Sequence, residues 1–293
     1  MISNIDDSIS SINDFEFDFE DCRPATDDET ANWLLDDGPV LRTTWIVHDR
    51  QFADGQREIS ASRFVRIKGA LPNQNRAKRG DSEKKEQNNE DSAKRAKQAV
   101  RLRCKSISAD RMITLTYREN MMDWNRLLKD WDSFRRRMAK YKQFHYVATV
   151  ERQERGAFHI HVAVHGRQFY QLIRYIWQKI VGLTEDGKPG GQINVRDPNK
   201  FGFGKHGAHK LAGYISKYIS KDMETHDLNK KRYWSSRGIR VPEKNYYQLP
   251  YGTDAFAAFS HVMQLAADHN NDGMTFFSNQ ALGVCWVATA PTI

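Results

Sequence analysis

The sequence has few cysteines and no long apolar run. Its three cysteines are scattered over 293 residues, at Cys22, Cys104 and Cys285, and this pattern excludes a disulfide framework and a zinc knuckle. No stretch is apolar over the about 20 residues that span a bilayer, and no signal peptide is present. The Gly-x4-Gly-Lys-Ser/Thr pattern of nucleotide-binding loops is also missing. We therefore expect a cytoplasmic protein with no membrane partner and no nucleotide cofactor.

Charge is distributed unevenly along the chain. The net charge is +8, yet residues 1–60 hold 15 acidic and only 4 basic side chains, which leaves +19 for residues 61–293. A segment so basic is typical of a protein that binds a polyanion, most often nucleic acid. A basic protein without such a partner has the same composition, so charge alone does not decide.

Composition divides the chain into five segments. The segments between the two ends differ in their content of apolar and charged residues, and the ends differ in charge. The predicted segments are an acidic tail (1–37), a short strand-rich segment of unknown role (38–70), a charged linker or solvated helix (71–105), a main domain (106–235) and a C-terminal extension packed on or beside it (236–293).

Within the main domain, strand and helix patterns alternate. β-branched and aromatic runs predict strands, and apolar residues at helical spacing predict helices. In order, these are strand 112–117, a helix with its apolar stripe from Trp124 to Met138, strands 144–151 and 158–165, a helix over 172–180, strand 192–196 and helix 208–223. The order βαββαβα predicts an α+β fold with an antiparallel-centred sheet and helices packed on it, of the ferredoxin-like type.

The strand at 158–165 carries the residues of greatest chemical interest. Side chains alternate along a strand, so Ile160 and Val162 point to one face and His159 and His161 to the other. Two imidazoles about 7 Å apart along one strand are near enough to share a metal ion. An ordinary polar strand face contains the same short pattern.

An acidic side chain is expected beside these histidines. The strand that ends at Glu151 and the histidine strand are joined by a turn at Arg155-Gly156, which predicts a hairpin. The hairpin brings Glu151 next to His159 and His161, whereas Glu154 falls at the turn. Two imidazoles and a carboxylate suit Mg or Mn.

The last predicted helix presents two tyrosines. Tyr214 and Tyr218 are four residues apart and therefore share one helical face. Each is followed three residues later by a lysine, Lys217 and Lys221. A core helix that keeps its lysines in solvent has the same pattern.

Taken together, these motifs resemble those of the Rep proteins, the rolling-circle replication initiators of the HUH endonuclease superfamily. Thr114-Leu-Thr116 lies on the first strand, His159-Ile-His161 matches the histidine–hydrophobic–histidine motif, and Tyr214 and Tyr218 follow on a helix. The order, histidines before tyrosines, is that of the Rep branch. The paired tyrosines are similar to the two-tyrosine group, which includes gene A proteins of small phages and plasmid initiators. The resemblance covers about residues 110–225.

The resemblance implies a fold, a reaction and partners. It implies an HUH endonuclease fold, with Mg or Mn held by His159, His161 and Glu151. Tyr214 or Tyr218 would attack single-stranded origin DNA and form a 5′-phosphotyrosine, with Lys217 and Lys221 near the phosphate or phenolate. A host helicase and DNA polymerase would be partners, in the cytoplasm of a bacterial host.

Further DNA contacts are expected outside the three motifs. Bases mixed with aromatics suit phosphate contact and stacking on single-stranded bases. The candidates lie in the hairpin turn, a Gly-rich loop and the basic segment 230–240, and are Arg155, Lys205, Lys230, Lys231, Arg232 and Trp234. For Trp234, packing into the protein is the alternative.

Two other functions compete with replication initiation. A two-tyrosine HUH transposase would use the same residues. A non-catalytic nucleic-acid-binding module on a ferredoxin-like sheet would instead place aromatics on the sheet face, where this sequence has His159 and His161.

Overall fold

The structure is a computed structural model that describes residues 41–67, 85–196, 211–217, 231–269 and 273–291. The chain divides into two compact units. The described part of the first consists of residues 41–67, 242–269 and 273–291, and the second spans Glu86–Val241. Each contains one five-stranded antiparallel sheet. Mixed helices and antiparallel sheets confirm the predicted α+β class.

The first unit is a sheet with one helix on it. Its strands are β1 (Leu41–Gln51), β2 (Arg57–Ile67), β8 (Asn245–Gln248), β9 (Met274–Asn279) and β10 (Val284–Thr289), in the order β8-β1-β2-β10-β9. The helix Ala255–His269, α5, packs Ala258, Val262 and Ala266 against this sheet.

Two predicted segments therefore meet in one sheet. Strands β1 and β2 come from the segment predicted at 38–70, and β8 to β10 come from the predicted C-terminal extension. The apolar run at 273–288, read as one strand region, is a hairpin with its turn at 280–283. Gly283 has a φ of 65°, a left-handed conformation that glycine adopts without strain.

The second unit contains the predicted βαββαβ order. Its elements are β3 (Arg111–Tyr117), α2 (Trp124–Tyr141), β4 (Val147–Arg152), β5 (Phe158–Val164), α3 (Tyr170–Val181), β6 (Gly191–Arg196), helical residues 211–217 (α4) and β7 (Tyr233–Ser235). The strand order is β6-β3-β5-β4-β7, and every pair is antiparallel. The first four form the split βαβ arrangement of ferredoxin-like folds.

Helices α2 and α3 cover one face of this sheet. The predicted apolar stripe of α2 is buried at Leu127, Trp131, Phe134 and Met138, and Asp123 caps the helix by accepting from the Asn125 and Arg126 backbone N–H groups. Helix α3 buries Ile173, Ile176 and Trp177. These side chains pack on Ile113, Leu115, Ile160, Val162 and Val164. The apolar half of the histidine strand thus lies in the main core.

A helix replaces the predicted linker. Lys85–Ser106, α1, is rich in strong helix formers and has basic residues in its last turn. It buries Ala93, Ala96, Val100 and Cys104 in a second cluster with Met112, Val147 and Ala163 on the other face of the sheet. Alanine side chains are too small to form a visible apolar stripe among so many charges, which explains the difference. No helix in the described residues is long and apolar enough to cross a membrane.

Replacing Phe134 by alanine tests the importance of the main core. Phe134 is fully buried and contacts Trp131, Phe144 and Trp177, so Phe134→Ala should lower the stability of the second unit by roughly 3–5 kcal/mol. Native-state hydrogen exchange of the β5 amides measures this for that unit alone. Arg137→Ala, at an exposed position of the same helix, should change it by less than about 0.5 kcal/mol. Equal effects of the two substitutions would contradict the assignment.

Candidate active site

Two neighbouring rows of side chains form the site face of the sheet. In one row, His161 is opposite Thr114 on β3 and opposite Thr149 on β4. In the next row, His159 is opposite Thr116 and Glu151. Because alternate residues share a face, all these side chains project away from α2 and α3. The predicted hairpin is confirmed, with Gly156 in its turn at a φ of 87°.

His161 is held from both sides. Its Nε2 lies 2.9 Å from Glu151 Oε2, and its Nδ1 lies 3.2 Å from Thr114 Oγ1. A neutral imidazole that donates from Nε2 to Glu151 leaves Nδ1 to accept from the Thr114 hydroxyl. The residue is only 4% exposed, so these two contacts fix its ring.

His159 contrasts with His161 in its contacts. Its Nε2 is buried and has no hydrogen-bond partner among the described residues, and its ring centroid lies 6.4 Å from that of His161. Burial lowers the pKa of His159, and the positive charge of protonated His161 lowers it further, against the opposing effect of Glu151. A neutral ring with an unpartnered buried nitrogen is typical of a side chain that binds a ligand.

The three predicted ligands meet but do not form a ready metal site. Among the described residues, no group of three His, Cys, Asp or Glu side chains is arranged to hold a metal ion. The Glu151 carboxylate is instead bonded to His161. By donor type, two imidazoles and one carboxylate fit Mg or Mn, and the unpartnered His159 nitrogen is one available ligand atom. Glu154 is exposed at the hairpin turn, so it is the less suitable acid.

Helix α4 lies over the same face as the histidines. Leu211, Ala212 and Ile215 are buried in the cluster with Met112, Val147 and Ala163, and Tyr214 packs against it. Ala163 shares a strand face with His161, so the tyrosine helix and the histidines are on one side of the sheet. Lys217 is exposed. Tyr218 and Lys221 lie outside the described residues.

Arg196 contacts Tyr214 and was not identified from the sequence. Its Nη1 lies 3.4 Å from Tyr214 Oη, and its Cζ lies 5.6 Å from the centre of the tyrosine ring. The alternation of β6 could have identified it, because Ile193 and Val195 pack toward α2 and α3 and Arg196 therefore projects to the histidine face. Thr149 was also missed. It is fully buried opposite His161, and its hydroxyl has no partner in the described part of the chain.

The predicted DNA-binding residues have different environments. Arg155 and Lys231 are exposed, whereas Arg232 donates to the side chain and backbone carbonyl of Asn89 on α1. Trp234 packs inward, as its alternative predicts, because its ring stacks near Trp124 and Trp131 on the face opposite the histidines. Lys205 and Lys230 lie outside the described residues.

The stability of the protein should depend on pH through His159. Its folded-state pKa is lowered, so the unfolded chain, whose histidine pKa is about 6.5, binds the proton first as pH falls. This contribution is present above about pH 6.5 and is lost progressively below that value. Urea unfolding at pH 7 and pH 5 should therefore show a smaller loss of stability for His159→Gln than for the unmodified protein. The same loss in both proteins would contradict the assignment.

Comparison with known proteins gives one match. No curated protein and no solved structure matches the chain. Residues 110–223, which include Thr114, Glu151, both histidines and Tyr214, match a family model for replication-associated proteins of the ORF2 type. The match supports a replication-initiator family for this segment of the second unit.

Proposed function

We propose that the protein initiates replication by nicking and rejoining one strand of DNA at a rolling-circle origin. The observation that carries this proposal is the position of helix α4, which packs Tyr214 over the sheet face that presents His159, His161 and Glu151. A nucleophile, a set of metal-ligating side chains and a basic chain are the components that the reaction needs. The family match of residues 110–223 supports the same function.

The proposed reaction is a transesterification at phosphorus. A bond forms between the tyrosine Oη and phosphorus as the bond from phosphorus to the 3′ oxygen breaks. The phenol loses its proton, and the departing 3′ oxygen gains one. The products are a 5′-phosphotyrosine and a free 3′-hydroxyl, which a host polymerase can extend. One ester replaces another, so rejoining needs no nucleotide hydrolysis.

The histidines and Glu151 would hold a divalent ion, Mg or Mn. Such an ion, when bound, polarises the scissile phosphate and offsets charge in the transition state. Thr114 would orient His161 through Nδ1, as partners beyond the direct ligands do at metal sites. Burial keeps His159 neutral, which a ligand nitrogen requires.

The pair of tyrosines suits a repeated reaction. Tyr218 follows Tyr214 by four residues, the spacing of neighbours on one helical face. One tyrosine would hold the first 5′ end while the other cuts the regenerated origin. Duplex opening would fall to a host helicase, because the sequence has no P-loop pattern. The surplus of basic residues after residue 60 fits a DNA substrate.

A covalent-adduct assay tests the proposal. Incubation with single-stranded origin DNA and Mn²⁺ should give a protein–DNA band that survives a denaturing gel. Chelation with EDTA should abolish the band, and so should the double substitution Tyr214→Phe with Tyr218→Phe, because no phenol remains to attack. Each single substitution should leave some adduct.

The same assay has a contradicting outcome. Tight DNA binding without adduct in any condition would favour a non-catalytic binding module. An adduct that persists in the double tyrosine variant would assign the nucleophile to another residue.

The metal dependence of the adduct tests the role of His159. His159→Ala removes one ligand nitrogen, so the Mn²⁺ concentration for half-maximal adduct should rise by at least about 10-fold. Direct Mn²⁺ titration without DNA should show the same weakening. His165→Ala is a matched control, because His165 lies just past the end of β5 and is largely exposed. Equal Mn²⁺ dependence of the two variants would remove His159 from the site.

A further inference from the structure

Arg196 is the residue that the structure brings to the tyrosine. It is the last residue of β6 and lies opposite Met112 on β3. Its Nη1 is 3.4 Å from Tyr214 Oη, and its Cζ is 5.6 Å from the ring centre. The guanidinium therefore reaches both the hydroxyl and the π face of one side chain. Arginine keeps its charge at every physiological pH.

The contact joins two elements that are distant in the fold's connectivity. Arg196 ends a strand whose register is fixed by six residue pairs with β3, from Gly191 opposite Tyr117 to Arg196 opposite Met112. Tyr214 stands on α4, whose buried side chains rest on the same face of the sheet. A rigid strand thus presents a fixed positive charge to the tyrosine hydroxyl.

We propose that Arg196 activates Tyr214 for DNA cleavage by donating a hydrogen bond to its phenolic oxygen. This inference rests on the proposed nicking function and adds a residue to it. As Tyr214 Oη loses its proton, negative charge develops on the oxygen, and a hydrogen bond from a cation to an oxyanion is stronger than one to a neutral hydroxyl. Arg196 cannot accept the phenolic proton, which passes to solvent, while the departing 3′ oxygen takes up a proton.

The same contact serves the rejoining reaction. There the 3′-hydroxyl attacks the phosphotyrosine, the bond between phosphorus and Tyr214 Oη breaks, and the phenolate is the leaving group. Arg196 stabilises that phenolate as it departs. Cleavage and rejoining therefore depend on Arg196 in the same direction, whereas its loss leaves the equilibrium between them unchanged.

A structural role is the competing explanation. A cation over an aromatic ring also stabilises the packing of a helix on a sheet, so Arg196 could simply hold α4 in place. Loss of activity on substitution does not distinguish these roles. A readout that depends on the charge developing on the phenolic oxygen does.

The experiment is made in a Tyr218→Phe background, so that all adduct forms through Tyr214. Rates of adduct formation and of rejoining are measured at saturating origin DNA and Mn²⁺ for Arg196, Arg196→Lys and Arg196→Ala. We expect Arg196→Ala to slow both rates by roughly 10- to 100-fold, the size of a charge-assisted hydrogen bond. Arg196→Lys should restore part of each rate. The affinity for DNA and the melting temperature serve as controls for binding and folding.

Incorporation of 3-fluorotyrosine at position 214 provides the decisive readout. Its phenol ionises more readily, so it should restore the rate of the Arg196→Ala protein by a larger factor than it changes that of the protein with Arg196. Equal factors in the two proteins would overturn the proposal and leave Arg196 as a packing residue. An Arg196→Ala rate equal to that of the parent would also overturn it.

Failure of this inference is separable from failure of the nicking function. If the unmodified protein forms no tyrosine adduct, the nicking function itself fails. If the unmodified protein forms the adduct but the Tyr218→Phe background does not, Tyr214 is not the attacking residue in that assay and the role of Arg196 is overturned.

Discussion

The register of β3, β5 and β4 is the constraint on which the site depends. It places Thr114, His161 and Thr149 in one row and Thr116, His159 and Glu151 in the next. A slip by one residue would turn both histidines toward α2 and α3, and would turn Ile160 and Val162 to the other face. The apolar core under α2 and α3 opposes that slip, because it buries Ile113, Ile160 and Val162 completely. The core on one face of the sheet therefore fixes the site on the other.

Covering the site face has chemical consequences. Helices α1 and α4 pack small and apolar side chains on the part of the sheet next to the histidine rows. Reduced solvent access strengthens the interaction of His161 with Glu151 and lowers the pKa of His159. It also leaves the Nε2 of His159 and the hydroxyl of Thr149 without partners among the described residues. Unsatisfied buried groups are costly for stability, and they are typical of a face adapted to a ligand.

Much of the second unit follows from sequence periodicity. The period of two at 158–165 and the helical stripe from Trp124 to Met138 each have one strong signal, and the structure contains both elements. Helix α1 was harder to recognise, because its buried face is built from Ala93 and Ala96. The position of Trp234 depends on ring contacts with Trp124 and Trp131 from elsewhere in the fold. The sheet of the first unit pairs β2 with β10, more than 200 residues apart in sequence, and no local pattern predicts such a pairing.

The site itself divides in the same way. The histidine pair and Glu151 are local, because one hairpin carries all three, and they were expected side by side. Arg196 reaches Tyr214 only through the pairing of β6 with β3 and the packing of α4. The most direct test of the account is a crystal structure grown with Mn²⁺, with the ion located by its anomalous scattering. The account predicts one strong peak bounded by His159, His161 and Glu151, on the face of the sheet that α4 covers. A saturated crystal whose only peaks lie on other side chains would contradict it.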